Sequence, residues 1–185
     1  MVSEMKTQYY TATSIDGYLA DEDNSLDWLF QFGEVEGMGD LYTQFIEGVG
    51  AVAMGSTTYE WIVEHENLSE DPEKWPYDVP AWVFSRREVP TIDGADIRFV
   101  QGDVEPIHAE MVETAGGENV WLVGGGELVG QFHDRGLVDE IILSVAPVTL
   151  ESGTPLFPRN IAKSPLELVD VQRYGDVFAV LTYET

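Results

Sequence analysis

Cysteine is absent from this chain of 185 residues, which excludes disulfide bonds, thiolate metal sites and a cysteine nucleophile. No apolar run approaches the ~18 residues that a transmembrane helix needs. The first residues also lack the basic-then-apolar order of a signal peptide. These absences predict a cytoplasmic protein. With 44% hydrophobic residues, the chain has the length and composition of one globular domain over residues 1–185.

Basic residues are scarce, because nine lysines and arginines stand against 34 aspartates and glutamates, for a net charge of −25. Such a surface repels nucleic acid and anionic membranes, so neither is expected as a partner. An anionic ligand therefore needs a local positive feature. No metal site is expected, since no cluster of Asp, Glu and His has the spacing of metal ligands.

Residues 119–132 have the pattern of a strand, a glycine turn and a helix. Residues 120–123 form an apolar run typical of a strand buried on both faces. Three glycines follow at 124–126, and apolar residues then recur at helical spacing over 128–132. Glycine lets the backbone approach a ligand closely, and free N–H groups at a helix start attract anionic oxygen. The pattern predicts a phosphate site; the alternative is a turn that needs glycine for packing alone.

Two similar junctions occur earlier in the chain. A predicted strand over 49–54 is followed by a glycine turn and by hydroxyl residues at 56–58, which are expected to cap the next helix. A predicted strand over 81–84 is followed by two arginines, Arg86 and Arg87. They either clamp a phosphate or lie in a solvated turn that offsets nearby acids.

Strands and helices alternate along most of the remaining chain. The patterns predict strands over 8–13, 97–100 and 140–146, helices over 26–30, 41–46 and 104–115, a linker over 67–79, a loop over 153–158, and a terminal hairpin of 166–173 and 177–183. This order predicts an α/β fold with a central, mostly parallel sheet, an antiparallel C-terminal hairpin and helices on both faces. Ligands bind at the carboxyl ends of strands in such sheets. The three junctions therefore predict one shared nucleotide site.

The order of these motifs resembles the dihydrofolate reductase superfamily, and within it the reductase domain of bifunctional riboflavin biosynthesis proteins and its stand-alone relatives. The resemblance covers essentially the whole chain and rests on SIDGYLA at 14–20, MGSTTYE at 54–60, FSR at 84–86, GGGEL at 124–128, LVDE at 137–140 and PLF at 155–157. It implies a three-layer dihydrofolate reductase-like fold and a homodimer. It also implies an NADPH-dependent reductase of a small heterocyclic substrate, similar to 5-amino-6-(5-phosphoribosylamino)uracil reductase.

The resemblance assigns cofactor residues by position. The resemblance implies that the pyrophosphate is surrounded by Gly124, Gly125, Gly126, Glu127 and Leu128. It also implies that the pyrophosphate is capped from the second helix by Gly55, Ser56, Thr57 and Thr58. The resemblance places Ser85 and Arg86 near the adenosine 2′-phosphate, with Arg87 as the alternative source of positive charge. The resemblance implies that the nicotinamide pocket is lined by Ala12, Ile15, Gly17 and Leu19.

Three positions depart from the family pattern. Relatives commonly carry arginine where this chain has Ser56, and riboflavin-pathway enzymes carry lysine where it has Tyr18. Trp28 resembles the tryptophan of true dihydrofolate reductases, but their carboxylate lies five residues on, where this chain has Gly33. Two alternatives therefore remain: a dihydrofolate- or pterin-reductase-like enzyme, and a nucleotide-binding protein of this fold that has lost catalysis.

Hydride transfer also needs a proton for the substrate heteroatom. The candidate donors are Asp27, Asp16 and Tyr18. Asp27 stands among aromatic residues and is expected to be partly desolvated, a setting that suits a proton donor. The alternatives are a helix-start carboxylate for Asp27, a turn residue for Asp16 and packing for Tyr18. Trp28 and Phe45 either stack on a flat substrate or pack in the core.

Overall fold

The structure, a computed structural model, describes residues 4–185, and one eight-stranded sheet organises them. The strands are β1 (Thr7–Thr13), β2 (Tyr18–Ala20), β3 (Val49–Gly55), β4 (Ala81–Phe84), β5 (Ile97–Val100), β6 (Asn119–Gly124), β7 (Glu140–Val145), β8 (Thr154–Pro155), β9 (Glu167–Tyr174) and β10 (Phe178–Glu184). The order in the large sheet is β5-β4-β3-β6-β1-β7-β10-β9, and β2 and β8 form a separate two-stranded sheet.

Six neighbouring strands of the large sheet, β5 to β7 in that order, run parallel. β10 pairs antiparallel with β7 and with β9. The predicted parallel sheet with an antiparallel C-terminal hairpin is therefore confirmed. Its central strands are apolar because both of their faces are covered; Val52 and Ala53 of β3, for example, have no exposed surface.

Helices cover both faces of this sheet. They are α1 (Asp27–Phe30), α2 (Met38–Ile46), α3 (Ser56–His65), α4 (Val104–Ala115) and α5 (Gly126–Asp134). α2 and α3 pack on one face, and α4 and α5 pack on the other. The result is the three-layer arrangement that the sequence predicted. Within residues 4–185, no helix has the length and apolarity that a membrane crossing requires.

Several local predictions were wrong, including that of α2, which begins at Met38 and not at residue 41. The hydroxyls of residues 56–58 do not cap α3, because Gly55 is the N-cap, with extended φ and ψ of −79° and 164°, and no side chain bonds to the cap. β7 ends at Val145, one residue earlier than expected. The loop over 153–158 contains β8, which pairs with β2; strands of two and three residues are too short to show an alternating pattern.

Candidate functional site

A cleft of about 780 Å³ opens where the parallel strands of the large sheet end, and we refer to it as the cleft. The ends of β3, β4 and β6 all contribute to it, through residues 55–58, 84–86 and 124–128. Because carboxyl ends of parallel strands meet at one edge of a sheet, the topology brings the three junctions into one site. Most of the residues that the sequence assigned to the cofactor line this cleft: Ala12, Leu19, Gly55, Ser56, Thr57, Thr58, Ser85, Arg86, Gly124, Gly125, Gly126, Glu127 and Leu128.

Three of the assigned cofactor residues do not line the cleft: Ile15, Gly17 and Arg87. Ile15 is 63% exposed at the tip of the first loop. Gly17 has a φ of 84° and closes the loop's turn with a 3.1 Å hydrogen bond from its N–H to the Ser14 carbonyl. Arg87 forms an ion pair with Glu60.

Two uncapped helix N-termini border the cleft. α3 begins after Gly55 and α5 begins after Gly125, and no side chain in the described part of the chain caps either helix. The first N–H groups of a helix have no intrahelical partner and carry partial positive charge. Two such termini on one cleft can bind anionic oxygen through backbone N–H groups.

The glycines of the 124–126 turn serve different purposes. Gly124 has a φ of 137°, which favours glycine, and the peptide bond between Gly124 and Gly125 is cis. A Cβ on Gly126 would overlap the carbonyl oxygens of Pro155 and Leu156. Gly125 has an ordinary extended φ of −79°, and a Cβ there would meet no atom within 4 Å. Packing therefore accounts for Gly126 and leaves Gly125 unexplained.

Arg159 offsets the charge of the acid that lines the cleft. Among residues 4–185, Glu127 is the only aspartate or glutamate that lines the cleft. Arg159 donates to it twice, from Nη1 to Oε2 at 2.9 Å and from Nη2 to Oε1 at 3.0 Å, and its Nε donates to Asp134 at 2.8 Å. This guanidinium lowers the pKa of Glu127. The same carboxylates, Glu127 foremost, raise the pKa of Arg159.

Sequence reasoning missed Arg159. It lies 32 residues from Glu127 in a loop without helical or strand periodicity, so no local pattern indicates the pairing. Its side chain is only 19% exposed and passes over Gly130, where a Cβ would overlap the guanidinium. Gly130 thus makes room for Arg159 beside α5.

Arg86 is an exposed residue at the rim of the cleft. It forms no ion pair within residues 4–185, whereas every other arginine of the chain does. The Ser85 hydroxyl fixes the turn beside it by accepting from the Arg87 N–H and donating to the Arg87 carbonyl. Arg86 is therefore a cation available to a ligand, and Arg87 is held by Glu60.

A smaller cavity of about 270 Å³, here called the side cavity, adjoins the cleft. The two share Thr11, Ala12, Leu29 and Val123. The rest of the side cavity is lined by Tyr10, Met38, Tyr42, Trp121, Ser144 and Phe178. The sequence analysis named none of these six as site residues. Ser144 alone gave a signal, as a hydroxyl inside the apolar β7.

Asp27 and Tyr18 line neither cavity. Asp27 is exposed at the start of α1, so the partly desolvated setting expected for it is wrong. The neighbouring aromatic side chains pack against other groups; Trp28 is buried against Ala146 and Phe178, and Phe32 lies edge-on to Phe178. Tyr18 lies in β2, paired with Pro155.

Asp16 also lies outside both cavities, and its hydrogen bonds connect two loops, an arrangement we call the Asp16 clip. Its carboxylate accepts from the Ser14 hydroxyl at 2.7 Å and from the backbone N–H groups of Leu150 and Glu151 at 3.1 and 2.8 Å. These hydrogen bonds, that of Ser14 first, lower the pKa of Asp16. The contacts are those of a turn residue.

Trp28 and Phe45, the candidate stacking residues, line neither cavity. Phe45 lies edge-on to Tyr10 at 4.6 Å and to Trp121 at 5.3 Å between ring centroids. It supports two rings that do line the side cavity. Trp28 belongs to the small core under α1.

Comparison with known sequences gives one family over nearly the whole chain. The model of the RibD C-terminal domain matches residues 6–180. The chain is also similar to the uncharacterized protein YwjB of Bacillus subtilis (strain 168), with 34% identity over 174 residues, which are 93% of this chain and 94% of that protein.

Solved structures with the same fold include a candidate riboflavin biosynthesis protein from Shewanella sp. PV-4, with a TM-score of 0.80, 26% identity and coverage of 97% and 98% of the two chains. The diaminohydroxyphosphoribosylaminopyrimidine deaminase/5-amino-6-(5-phosphoribosylamino)uracil reductase from Thermotoga maritima has a TM-score of 0.68 and 12% identity, over 98% of this chain and 56% of that one. Dihydrofolate reductase from Enterococcus faecalis, complexed with NADP(H), has a TM-score of 0.62 and 14% identity, over 97% and 95%. The predicted dihydrofolate reductase-like fold is confirmed.

Proposed function

The chain belongs to the RibD C-terminal domain family, and on that premise we propose that it is an NADPH-dependent reductase of a small heterocyclic substrate. The family and its structural neighbours are of the riboflavin-pathway reductase type. One neighbour of the same fold is complexed with NADP(H), which supports a nicotinamide dinucleotide as the cofactor.

The charge of the cleft carries this proposal. Of the chain's 34 acidic residues, Glu127 is the one that lines the cleft among the described residues, and Arg159 offsets its charge. Arg86 and the N-termini of α3 and α5 add positive potential there. A cleft of this kind on a strongly acidic protein suits a ligand that carries several phosphates.

The residues of the cleft fit the parts of NADPH. Backbone N–H groups of 124–128 and 55–58 would bind the pyrophosphate, and Arg86 with Ser85 would bind the adenosine 2′-phosphate. Ala12, which the cleft shares with the side cavity, and Leu19 of the cleft would contact the nicotinamide. When bound, NADPH would supply a hydride to a carbon of the substrate, and the neighbouring heteroatom would take a proton from solvent.

A second candidate is a nucleotide-binding protein of this fold without catalysis. The observation that favours it is the lack of an acid–base group in the side cavity, where no Asp, Glu or His of the described chain takes part. Burial raises the pKa of both tyrosines there, Tyr10 and Tyr42, so both hydroxyls stay protonated near neutral pH and neither is a base. Consumption of NADPH with any heterocycle separates the two candidates.

The test of the proposed function compares adjacent arginines. Calorimetry gives the affinities of the parent, Arg86→Ala and Arg87→Ala for NADPH and for NADH. A charge-assisted hydrogen bond contributes about 1.5–3 kcal/mol, so we expect the NADPH preference to fall by about 10- to 100-fold in Arg86→Ala. Arg87→Ala is the matched control and should keep it.

An unchanged preference in Arg86→Ala would contradict the assignment of the 2′-phosphate. Failure of the parent to bind either dinucleotide at millimolar concentration would contradict the proposed function itself. Binding without turnover on any heterocycle would favour the second candidate.

We also propose that the protein is a homodimer. Within residues 4–185, β9 is an edge strand that pairs with β10 alone, and it exposes Leu168, Val169 and Val171. An exposed apolar edge with unpaired backbone groups is a surface that soluble proteins usually cover. A second copy of the chain would cover it.

A further inference from the structure

The walls of the side cavity are aromatic and held in place. Trp121 Nε1 donates a 3.1 Å hydrogen bond to the Tyr10 carbonyl oxygen, and Phe45 packs behind both rings. Tyr42 lies edge-on to Trp121, with 6.1 Å between ring centroids. Fixed aromatic walls favour a flat ring, since stacked and edge-on contacts are the arrangements that aromatic groups prefer.

Ser144 brings an unused hydroxyl to this cavity. In β7 it stands between Ala12 of β1 and Val180 of β10, and it is only 3% exposed. Its Oγ makes no hydrogen bond of good geometry among the described residues, although it lies near enough to the Tyr10 hydroxyl to offset part of the rise that burial causes in the pKa of that group. A buried hydroxyl without a partner is destabilising, so its position in the lining of a cavity indicates a ligand that pairs with it.

Formal charge is missing from the side cavity. No Asp, Glu, His, Lys or Arg of residues 4–185 lines it. A carboxylate that would bind the amidine edge of a pterin is therefore lacking, because Asp27 lies outside. A cation for a substrate phosphate is lacking as well, since Arg159 is bonded to Glu127 and Asp134 and Arg86 lines only the cleft. On a protein of charge −25, an unpaired phosphate is repelled.

We infer that the side cavity binds an uncharged, flat heterocycle without a phosphate group, and that Ser144 Oγ makes a hydrogen bond to a carbonyl oxygen or a nitrogen of its ring. The inference rests on the proposed function and names the substrate class for it. Ser144 is then a specificity-determining residue, because its hydroxyl is buried in the lining of the cavity and makes no well-formed hydrogen bond within residues 4–185.

The experiment measures binding to the protein saturated with NADP⁺, which cannot reduce the probe. The uncharged probes are uracil, lumazine and 5-amino-6-ribosylaminouracil. The charged probes are dihydrofolate and 5-amino-6-(5-phosphoribosylamino)uracil, which differs from the third uncharged probe only in its phosphate. Calorimetry gives each dissociation constant, and quenching of tryptophan fluorescence reports a ring beside Trp121. We expect at least one uncharged probe to bind, and the phosphate to weaken binding by tenfold or more.

Ser144→Ala tests the hydroxyl. Loss of one hydrogen bond weakens binding by about 3- to 10-fold, so we expect that loss for the uncharged probe while the affinity for NADP⁺ stays unchanged. The melting temperature should stay the same or rise, because the variant removes a buried hydroxyl that makes no well-formed hydrogen bond. A merely structural serine would instead lower it. Ser164→Ala, in an exposed loop, is the matched control and should change neither quantity.

The outcomes separate this inference from the proposed function. If neither NADPH nor NADP⁺ binds, both fail. If the dinucleotides bind but the charged probes bind as tightly as the uncharged ones or more so, the inference alone is overturned. It is also overturned if no uncharged probe binds to the NADP⁺ complex, or if Ser144→Ala binds the uncharged probe as the parent does.

Discussion

Alanine at two successive positions of the glycine turn should have opposite effects. Gly125 has an extended backbone, and a Cβ there would meet no protein atom within 4 Å. Gly126 has no such space, because a Cβ would overlap two carbonyl oxygens of the 155–156 segment. We therefore expect Gly125→Ala to weaken NADPH binding by a protein that stays stable, and Gly126→Ala to destabilise the protein.

The magnitudes follow from these surroundings. Replacing glycine by alanine where the backbone allows it stabilises a protein by about 0.4–1 kcal/mol, so Gly125→Ala should melt at or slightly above the parental temperature. A methyl group that keeps a phosphate from the N–H groups of α5 removes a charge-assisted hydrogen bond of about 1.5–3 kcal/mol, or about 10- to 100-fold in affinity. Overpacking in Gly126→Ala costs about 1–3 kcal/mol, which lowers the melting temperature by roughly 2–4 °C per kcal/mol at this size.

Thermal melts and calorimetry with NADPH check both expectations on the same preparations. The reasoning is refuted if Gly125→Ala binds NADPH with parental affinity, since the N–H groups of the turn would then not contact the ligand. It is equally refuted if Gly125→Ala loses stability, because the turn would then be a packing device. Parental stability of Gly126→Ala would contradict the close contact with the 155–156 segment.

Three further predictions concern residues outside the cleft. Asp27→Asn should keep turnover within about twofold of the parent with the same pH profile, as for an exposed surface change; a large kinetic loss would restore it as a proton donor. The pKa of Asp16 is lowered from 3.8, so its stabilisation is complete above pH 3.8 and is lost as pH falls through the native pKa. The melting temperature of Asp16→Asn should accordingly lie below the parental one at pH 7 and approach it at pH 3; an equal gap at both would contradict the clip. Light scattering should give twice 20.6 kDa for the parent and 20.6 kDa for Val171→Glu; a monomeric parent would contradict the proposed dimer.

The order of elements and the convergence of the three junctions were predictable from the sequence. Apolar runs of four to seven residues followed by glycine or hydroxyl residues have a local signature, and the rule that ligands bind at carboxyl ends of parallel strands supplies the rest. The cap of α3 was not predictable from the sequence. Ser56 has the right chemistry for an N-cap, but the helix already begins at Ser56, so Gly55 occupies the cap position.

The contacts of the site between residues far apart in the sequence could not be predicted from any local pattern. Arg159 and Glu127 meet across 32 residues, and Ser144 reaches the side cavity only because β7 pairs with β1 in a particular register. Asp27 shows the opposite error, in which aromatic neighbours in sequence were taken as neighbours in space. Helix α1 buries Trp28 and leaves the carboxylate of Asp27 in solvent.

The acidity of the outer surface acts on an anionic ligand before the ligand reaches the cleft. At −25 the protein repels a dinucleotide during diffusion, over a range of about 30 Å at 0.01 M salt and about 8 Å at 0.15 M. The attraction of Arg86 and of the two helix N-termini is felt only at close range. Added salt therefore screens the repulsion first and raises the association rate constant, the reverse of the usual electrostatic steering. We therefore expect a dinucleotide to fill the cleft faster in a concentrated electrolyte than in a dilute one.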